Sequence, residues 1–385
     1  MLRSVPYAWR QLSQDRLKLF AAVLGIAFAV VLVFMQLGLR AALFDSSVRL
    51  HRGVDYQLVL LNPRTNFLAR TVPFPRSRLY QVASHSAVVD VAPLYLKLAS
   101  YYYDDGANEH ETALVIAIDP TQKNLRMPGV EPYLESLRNP DTVIIDRYSR
   151  KEFATSVDAV LAGEPVELQL QERHVNVIGA FGLGTSFGVD GSFITSDLNF
   201  RRIFPQRPAG NIDLGLIRLR PGSDVASVQK DIRALIPGDV EALTRQEYVA
   251  KEIAYWNSST PIGYIFSLGA VIGVIVGLIV VYQILFSDVQ SHLAEYATLK
   301  AIGYSDGFLR SLVLREAICL AVLGFIPAFG FALLLYDQAA NATQLPMHMT
   351  AFRASLVLVV TIGMCALSGL LAMRKISRLD PAEVF

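Results

Sequence analysis

The chain has 385 residues, of which 52% are hydrophobic and only 18% charged, with a formal net charge of +1. A soluble domain carries about 25% charged residues, so charge has been withdrawn from long stretches, and the near-neutral balance supplies no global field of the kind that draws nucleic acid. The two cysteines, Cys319 and Cys365, lie within apolar runs, which excludes a disulfide framework and a CxxC zinc or redox site.

Four stretches contain no Asp, Glu, Lys or Arg: between Lys18 and Arg40, Glu252 and Asp288, Glu316 and Asp337, and Arg353 and Arg374. A helix rises ~1.5 Å per residue and the hydrocarbon core is ~30 Å thick, so about 20 apolar residues cross it. All four are long enough. The first exceeds the ~7–15 residues of a signal-peptide core and ends in no small-x-small cleavage site, so an uncleaved signal-anchor is expected. The expected organisation is a head at 1–16, a first span at 17–39, a large domain at 40–260, a second span at 261–286, a loop at 287–311, a third span at 312–336, a short loop at 337–351, a fourth span at 352–373 and a tail at 374–385.

Ala21, Gly25 and Ala29 recur every fourth residue in the first span, and Gly269, Gly273 and Gly277 do so in the second. Small residues at this spacing form a flat face on which two helices pack closely in lipid. Both sets are candidate helix-packing or dimer residues.

The segment from 40 to 260 reads as mixed α and β. Strands are expected at Tyr56–Leu61, Leu94–Tyr103, Ala113–Ile118, Val143–Asp146, Val166–Leu170, Val175–Ala180 and Leu214–Leu219, each rich in Val, Ile, Leu or Tyr and bounded by turn residues. Asp105-Gly106 is a hairpin signal. Helices are expected over Asp224–Leu235, from Thr244 toward Trp256, and from Arg40 to Leu50 as a continuation of the first span. The last two make stalks from the membrane to a β-rich head.

No G-x-x-x-x-G-K-[ST] occurs, so the chain binds no nucleotide through a P-loop. The run from Gly182 through Gly184 to Gly188 lacks a surrounding βαβ unit and reads as a loop between strands. Glu109-His110-Glu111 alternates across a strand and reads as a solvated arm rather than a metal site. Tyr101 to Tyr103 read as packing at a sheet edge. No catalytic constellation, metal site or cofactor is expected.

Between the second and third spans, Glu295-Tyr-Ala-Thr-Leu-Lys-Ala-Ile-Gly303-Tyr304 reads as a short helix with a glycine stop. This loop carries Lys300, Arg310 and Arg315, the head carries Arg3, Arg10, Arg16 and Lys18 against Asp15, and the tail carries Arg374, Lys375 and Arg378. The loop after the third span has no Lys or Arg before Arg353. The positive-inside rule then places both termini and the second loop in the cytoplasm and 40–260 outside.

The string Glu295 to Gly303, followed by Glu316 and Gly324, resembles the core pattern of FtsX/MacB-like permeases of ABC transporters. Leu24-Gly-Ile26 after a basic head and the tail Arg378-Leu-Asp-Pro-Ala-Glu383 resemble that family's two ends, although Ala297 stands where many members have glycine. Phe34-Met-Gln-Leu-Gly38, Ala42-Leu-Phe-Asp-Ser46, Ser196-Asp-Leu-Asn-Phe200, Thr260-Pro-Ile-Gly263 and Val281-Tyr-Gln-Ile-Leu285 are similar to the DevC-type branch.

The resemblance implies an α-helical membrane protein with four transmembrane helices and a mixed α+β periplasmic domain inserted between the first and second. It implies a homodimer in the bacterial inner membrane, a separate ABC ATPase subunit that hydrolyses the ATP, a periplasmic adaptor (membrane fusion protein) and an outer-membrane channel of TolC type. Work would be done by mechanotransmission, exporting a lipid or other hydrophobic, glycolipid-like substrate. Glu295, Tyr296, Leu299, Lys300, Ile302, Gly303 and Tyr304 are the expected ATPase-coupling residues. The alternatives are an FtsX-like regulator of a periplasmic hydrolase and a lipoprotein-releasing permease.

The charge asymmetry makes a direct prediction. In a background lacking Cys319 and Cys365, single cysteines at Asp105 and Asn341 should react with an impermeant maleimide in intact spheroplasts, and one at Ser305 should not; the opposite pattern would invert the topology.

Overall fold

The computed structural model describes residues 16–102, 111–122 and 125–376. In chain order the helices are α1 (Arg16–Ser47), α2 (Arg49–Gly53), α3 (Ser77–Ala83), α4 (Ala154–Leu161), α5 (Asp197–Ile203), α6 (Val225–Leu235), α7 (Arg245–Ala254), α8 (Pro261–Ser291), α9 (Leu293–Ala301), α10 (Asp306–Thr343) and α11 (Ala351–Ile376). The strands are β1 (Leu58–Leu61), β2 (Phe74–Pro75), β3 (Val88–Tyr102), β4 (Glu111–Ile118), β5 (Thr142–Asp146), β6 (Val166–Leu170), β7 (Arg173–Phe181), β8 (Gly191–Ser196), β9 (Asn211–Ile212), β10 (Leu214–Leu219) and β11 (Glu241–Thr244). Two units result: a helical one, up to Ala41 with Ile262–Ala340 and the chain from Met347, and an α/β one, Ala42–Pro261 with Asn341–Pro346.

In the helical unit, α1, α8, α10 and α11 are long and apolar enough to cross a membrane. Helices α1, α10 and α11 are longer than their charge-free runs. Helix α8 continues to Ser291, and α10 starts at Asp306 and ends at Thr343, so most of 287–311 is helical. Polar groups tie the helices together where no water can compete. The Tyr336 hydroxyl of α10 donates to the Phe34 carbonyl of α1 at 2.5 Å, and Ser368 Oγ of α11 donates to the Leu278 carbonyl of α8 at 2.9 Å. The Phe34 ring also meets Phe325 and Phe329, at 5.9 and 6.0 Å between centroids.

In the α/β unit nine strands form one sheet in the order β11-β1-β10-β3-β4-β8-β5-β7-β6, and β6 pairs back onto the end of β3 at Tyr101 and Tyr102. Neighbours are antiparallel except β4 with β8 and β5 with β7. Successive side chains on a strand point to opposite faces, and here both faces are buried. Leu58, Leu60, Tyr95, Ala99, Val115 and Ala117 enter one core with α3, α4, α5 and α6. Val59, Leu61, Leu94, Leu96, Leu114 and Ile116 enter the other with Leu50 of α2 and Tyr248 of α7. Two covered faces explain why β1 reads as an unbroken Leu-Val-Leu-Leu run rather than an alternation.

The expected β6 and β10 match residue for residue, and the other expected strands shift at their ends; β3 starts at Val88, six residues early. Helix α6 starts at Val225, where Asp224 caps it by accepting from Ala226 N–H, and α7 starts at Arg245 under a Thr244–Glu247 capping box. Three expectations need correction. Strand β8 was not expected. Its Gly-Ser-Phe-Ile-Thr-Ser composition looks like a loop, yet it is buried throughout and lies between β4 and β5; its polar side chains find partners, Thr195 Oγ1 donating to the Thr142 carbonyl at 2.7 Å and Ser196 capping α5. Helices α3, α4 and α5 and strand β11 were also missed. Tyr101 is not at an edge: it is buried, its ring stacks on Phe153 at 4.4 Å, and its hydroxyl shares a 2.8 Å hydrogen bond with Ser156. Asp105-Gly106, Tyr103, Glu109, His110 and the tail motif from Arg378 lie outside the described residues.

Glu252 closes the second core from α7. It is 2% exposed and accepts from the Leu68 amide at 3.0 Å and from Trp256 Nε1 at 3.1 Å. Burial pushes its carboxyl from 4.5 up to about 7, against the pull of those two donors. A carboxyl raised in the folded state contributes stability in full below its unfolded value and loses it as pH climbs through the folded value. His51 acts in the opposite sense, because burial and the nearby Arg245 push it down to about 3. The Glu252 contribution is therefore read from a difference. Relative to Glu252→Gln, wild-type stability should fall by up to roughly 3 kcal/mol between pH 4.5 and 7.5, measured by denaturant unfolding with Trp256 fluorescence. A difference that does not change with pH would show Glu252 ionised throughout.

Candidate functional site

Helix α9 bridges α8 and α10 and ends in a turn. The Ile302 amide donates to the Thr298 carbonyl and the Tyr304 amide to the Leu299 carbonyl, both at 3.1 Å. Gly303, with φ of +100°, adopts the left-handed conformation that such a stop requires. The seven residues expected to couple to an ATPase then divide. Tyr296 is buried and Leu299 partly buried in a cluster with Val289, Leu309, Leu312, Val313 and Met373, which joins α8, α9, α10 and α11. Glu295 is exposed, Ile302 is 70% exposed, and Tyr304, packed on Phe308 at 4.7 Å, is 47% exposed. The Lys300 side chain lies outside the described atoms. Leu299 and Ile302 were expected on one outward helix face. They separate because α9 stops at Ala301: Leu299 faces the chain's own cluster, and Ile302 stands in the turn.

The small residues of the first two spans face each other within one chain. A side chain at Gly25 would collide with Val280 of α8, one at Gly273 would press on Val33 of α1, and one at Gly277 would meet Ala29 of α1 and Met364 of α11. Gly269 lies against Gln36, and Ala21 lines a cavity between α1 and α8. The contact that these residues make here is α1 against α8.

In the α/β unit, the loop from Gly182 to Asp190 gathers the segments that adjoin the long helices in sequence. Its anchor is Asp146 at the end of β5, fully buried. The Asp146 carboxylate accepts from the amides of Tyr148 (3.1 Å), Leu183 (3.0 Å) and Gly184 (2.6 Å). Burial pushes its carboxyl above the ordinary range, while those donors and the Arg49 guanidinium pull it down. Arg49, on α2 just beyond α1, donates to the Thr185 carbonyl at 3.5 Å. Its guanidinium lies where a side chain on residue 184 would be, and Gly184 has φ of +93°. Both facts require glycine there.

Two further segments reach the same loop. Thr185 Oγ1 donates to the Gln344 carbonyl, in the link between α10 and α11, at 3.0 Å. Trp256, at the π-helical turn Tyr255–Ser259 that leads from α7 toward α8, lies over Gly188. Phe67 stacks on Tyr255 at 4.7 Å and meets Trp256 edge-on at 5.5 Å. Sequence reasoning saw only a glycine-rich loop here. The signal it could have used was the buried-strand aspartate before the run, a charge that must find backbone donors nearby.

Two family models match the chain. The MacB-like periplasmic core domain covers residues 19–235 and the FtsX-like permease C-terminal model covers residues 266–381. No curated protein matches it. Among solved structures, the periplasmic region of MacB from Actinobacillus actinomycetemcomitans is 12% identical, with a TM-score of 0.34 over 51% of this chain and 92% of that one. The extracellular domain of the noncanonic ABC-type transporter YknZ from Gram-positive bacteria is also 12% identical, with a TM-score of 0.34 over 49% of this chain and 99% of that one. The first model alone spans more than half of the sequence, and the second takes in α8 from Phe266 onward, α9, α10 and α11. The chain belongs to the FtsX/MacB-like family of ABC transporter permeases.

Proposed function

We propose that the chain is the permease subunit of a tripartite ABC export system of the DevC type, which moves a lipid or other hydrophobic substrate by mechanotransmission. Members of the family are inner-membrane transport components rather than enzymes. On this reading both termini are cytoplasmic, the α/β domain lies in the periplasm between the first and second spans, and two copies pair. A separate ABC ATPase docks on α9 and the turn after it. A periplasmic adaptor, leading to an outer-membrane channel of TolC type, docks on the α/β domain.

The observation that supports this most is the division of the coupling segment. Tyr296 and Leu299 root α9 in a cluster shared by α8, α10 and α11, while Ile302 and Tyr304 are left outward at the glycine turn. A push on the outward pair would reach three long helices through one packed cluster. The convergence of α2, the turn after α7 and Gln344 on the loop at Gly182–Asp190 provides the receiving end.

Ile302→Asp tests the docking directly. A charge at an apolar interface anchor is costly, and such anchors carry much of an interface's energy, so affinity for the cognate ATPase should fall at least about tenfold. Membrane insertion should be unchanged, because Ile302 lies outside the cluster. Undiminished co-purification of the ATPase with the Ile302→Asp protein, and undiminished export, would contradict docking at this turn. Leu299→Asp is the weaker test, since it would also disrupt the chain's own packing.

A further inference from the structure

Residues 62–71, between β1 and β2, form a loop that is tied down along its length. The Thr65 amide donates to the Asn62 carbonyl at 2.9 Å, the Arg70 amide to the Phe67 carbonyl at 3.1 Å, and the Val72 amide to Thr65 Oγ1 at 3.0 Å. Thr71 Oγ1 donates to Asp213 Oδ1 at 2.7 Å, and the Leu68 amide to Glu252 of α7 at 3.0 Å. The Val72–Thr65 hydrogen bond draws the two ends of the loop together, and with them Arg64 and Arg70. Both arginines are exposed, and neither side chain has an ion pair or a hydrogen bond among the described residues. Other arginines of the same unit are matched by acids, Arg52 by Asp45 and Arg126 by Asp55.

The loop is mounted beside the entry to a span. Phe67, between the two arginines in sequence, stacks on Tyr255 at 4.7 Å and meets Trp256 edge-on at 5.5 Å. Tyr255 begins the π-helical turn Tyr255–Ser259, and α8, long and apolar enough to cross a membrane, starts at Pro261. The chain from Tyr255 to Pro261 would reach about 20 Å if extended, and the helical turn makes it cover less. Trp and Tyr gather at the membrane–water interface. Neither 62–71 nor 255–260 contains Asp or Glu. The carboxylate that touches both segments, Glu252, is 2% exposed and engaged with Leu68 and Trp256. Two positive charges are thus presented beside an aromatic cluster next to a span.

We propose that Arg64 and Arg70 bind the phosphate headgroups of anionic phospholipids in the leaflet next to this loop. The guanidinium fork matches phosphate oxygens in a bidentate way, and each cation at an anionic membrane surface favours it about fivefold. A soluble acidic protein fits less well, because aromatic residues and arginines flanking a span are the groups that anchor it at the interface. Bound headgroups would hold the loop, and through the Leu68–Glu252 hydrogen bond helix α7, at the membrane surface. The inference goes beyond the export function proposed above and does not rest on it, since α8 follows the Tyr255 turn in either orientation of the chain.

The test is photolabelling of the full chain in phosphatidylcholine nanodiscs that carry a trace of phosphatidylglycerol or of phosphatidylcholine, each with a diazirine on its headgroup. Adducts are located by mass spectrometry. The phosphatidylglycerol probe should label residues 62–71 at least about tenfold more than the phosphatidylcholine probe, and unlabelled phosphatidylglycerol should compete. Arg64→Gln and Arg70→Gln should each lower that labelling about fivefold, and the double variant should bring it to the phosphatidylcholine level, with labelling near the far ends of the spans unchanged. Equal labelling by the two probes would place the loop at the membrane without headgroup selectivity and overturn the proposal. No labelling by either would overturn it in favour of a soluble acidic partner, and undiminished labelling of the double variant would remove the arginines from the site. The comparison of probes needs only the wild-type chain, so it stands even if a variant misfolds.

Discussion

A buried carboxylate without donors is among the costliest things a fold can contain, and the arrangement of the α/β unit follows from how Asp146 meets that cost. It sits at the end of β5, inside the sheet, and takes the amides of Tyr148, Leu183 and Gly184. To deliver two of those amides the chain after β7 must turn back over the strand end, and to admit the Arg49 guanidinium it must carry glycine at 184. The loop so fixed then offers its outer side to Gln344 and to Trp256. A single satisfied charge thereby defines where three segments adjoining the long helices are held.

That arrangement has consequences for how the sheet can respond to force. Its two cores are unequal in kind. One is closed by α3, α4, α5 and α6, which connect only to strands and loops of the same unit. The other is closed by Leu50 of α2 and Tyr248 of α7, the helices next in sequence to α1 and to α8. Under the mechanotransmission proposed above, a displacement of either helix would be felt first in the second core and in the loop at Gly182–Asp190, with the first core bracing the sheet. Close packing transmits such strain because protein interiors have little free volume. The helical unit is braced comparably, by the Tyr336–Phe34 and Ser368–Leu278 hydrogen bonds and by the α1–α8 contact along Gly25, Gly273 and Gly277.

Much of this was legible in the residues. Four charge-free runs identified the long helices, and strands such as β6 and β10 stood out because their apolar and β-branched content was bounded by turn residues. What stayed hidden has one physical cause: buried polar residues that find internal partners look like loops in sequence. Strand β8 lies deep in the sheet but spells Gly-Ser-Phe-Ile-Thr-Ser. The loop after β7 was legible as a loop, yet its role depends on Asp146, 36 residues earlier, and on Arg49, which periodicity cannot connect. In the coupling segment the glycine stop was visible; that it turns Leu299 inward and Ile302 outward depends on a cluster drawn from four helices.

The central claim is that movement of the long helices is received at the loop anchored on Asp146. Hydrogen exchange at the amides of Leu183 and Gly184, followed in the full chain assembled with its ATPase in nanodiscs, measures it most directly. The account predicts that these two amides exchange at a different rate with a trapped ATP state than with ADP, while amides in β6 and β7 far from the loop do not change. Identical exchange at Leu183 and Gly184 in the two nucleotide states of a complex that is turning over ATP would contradict it.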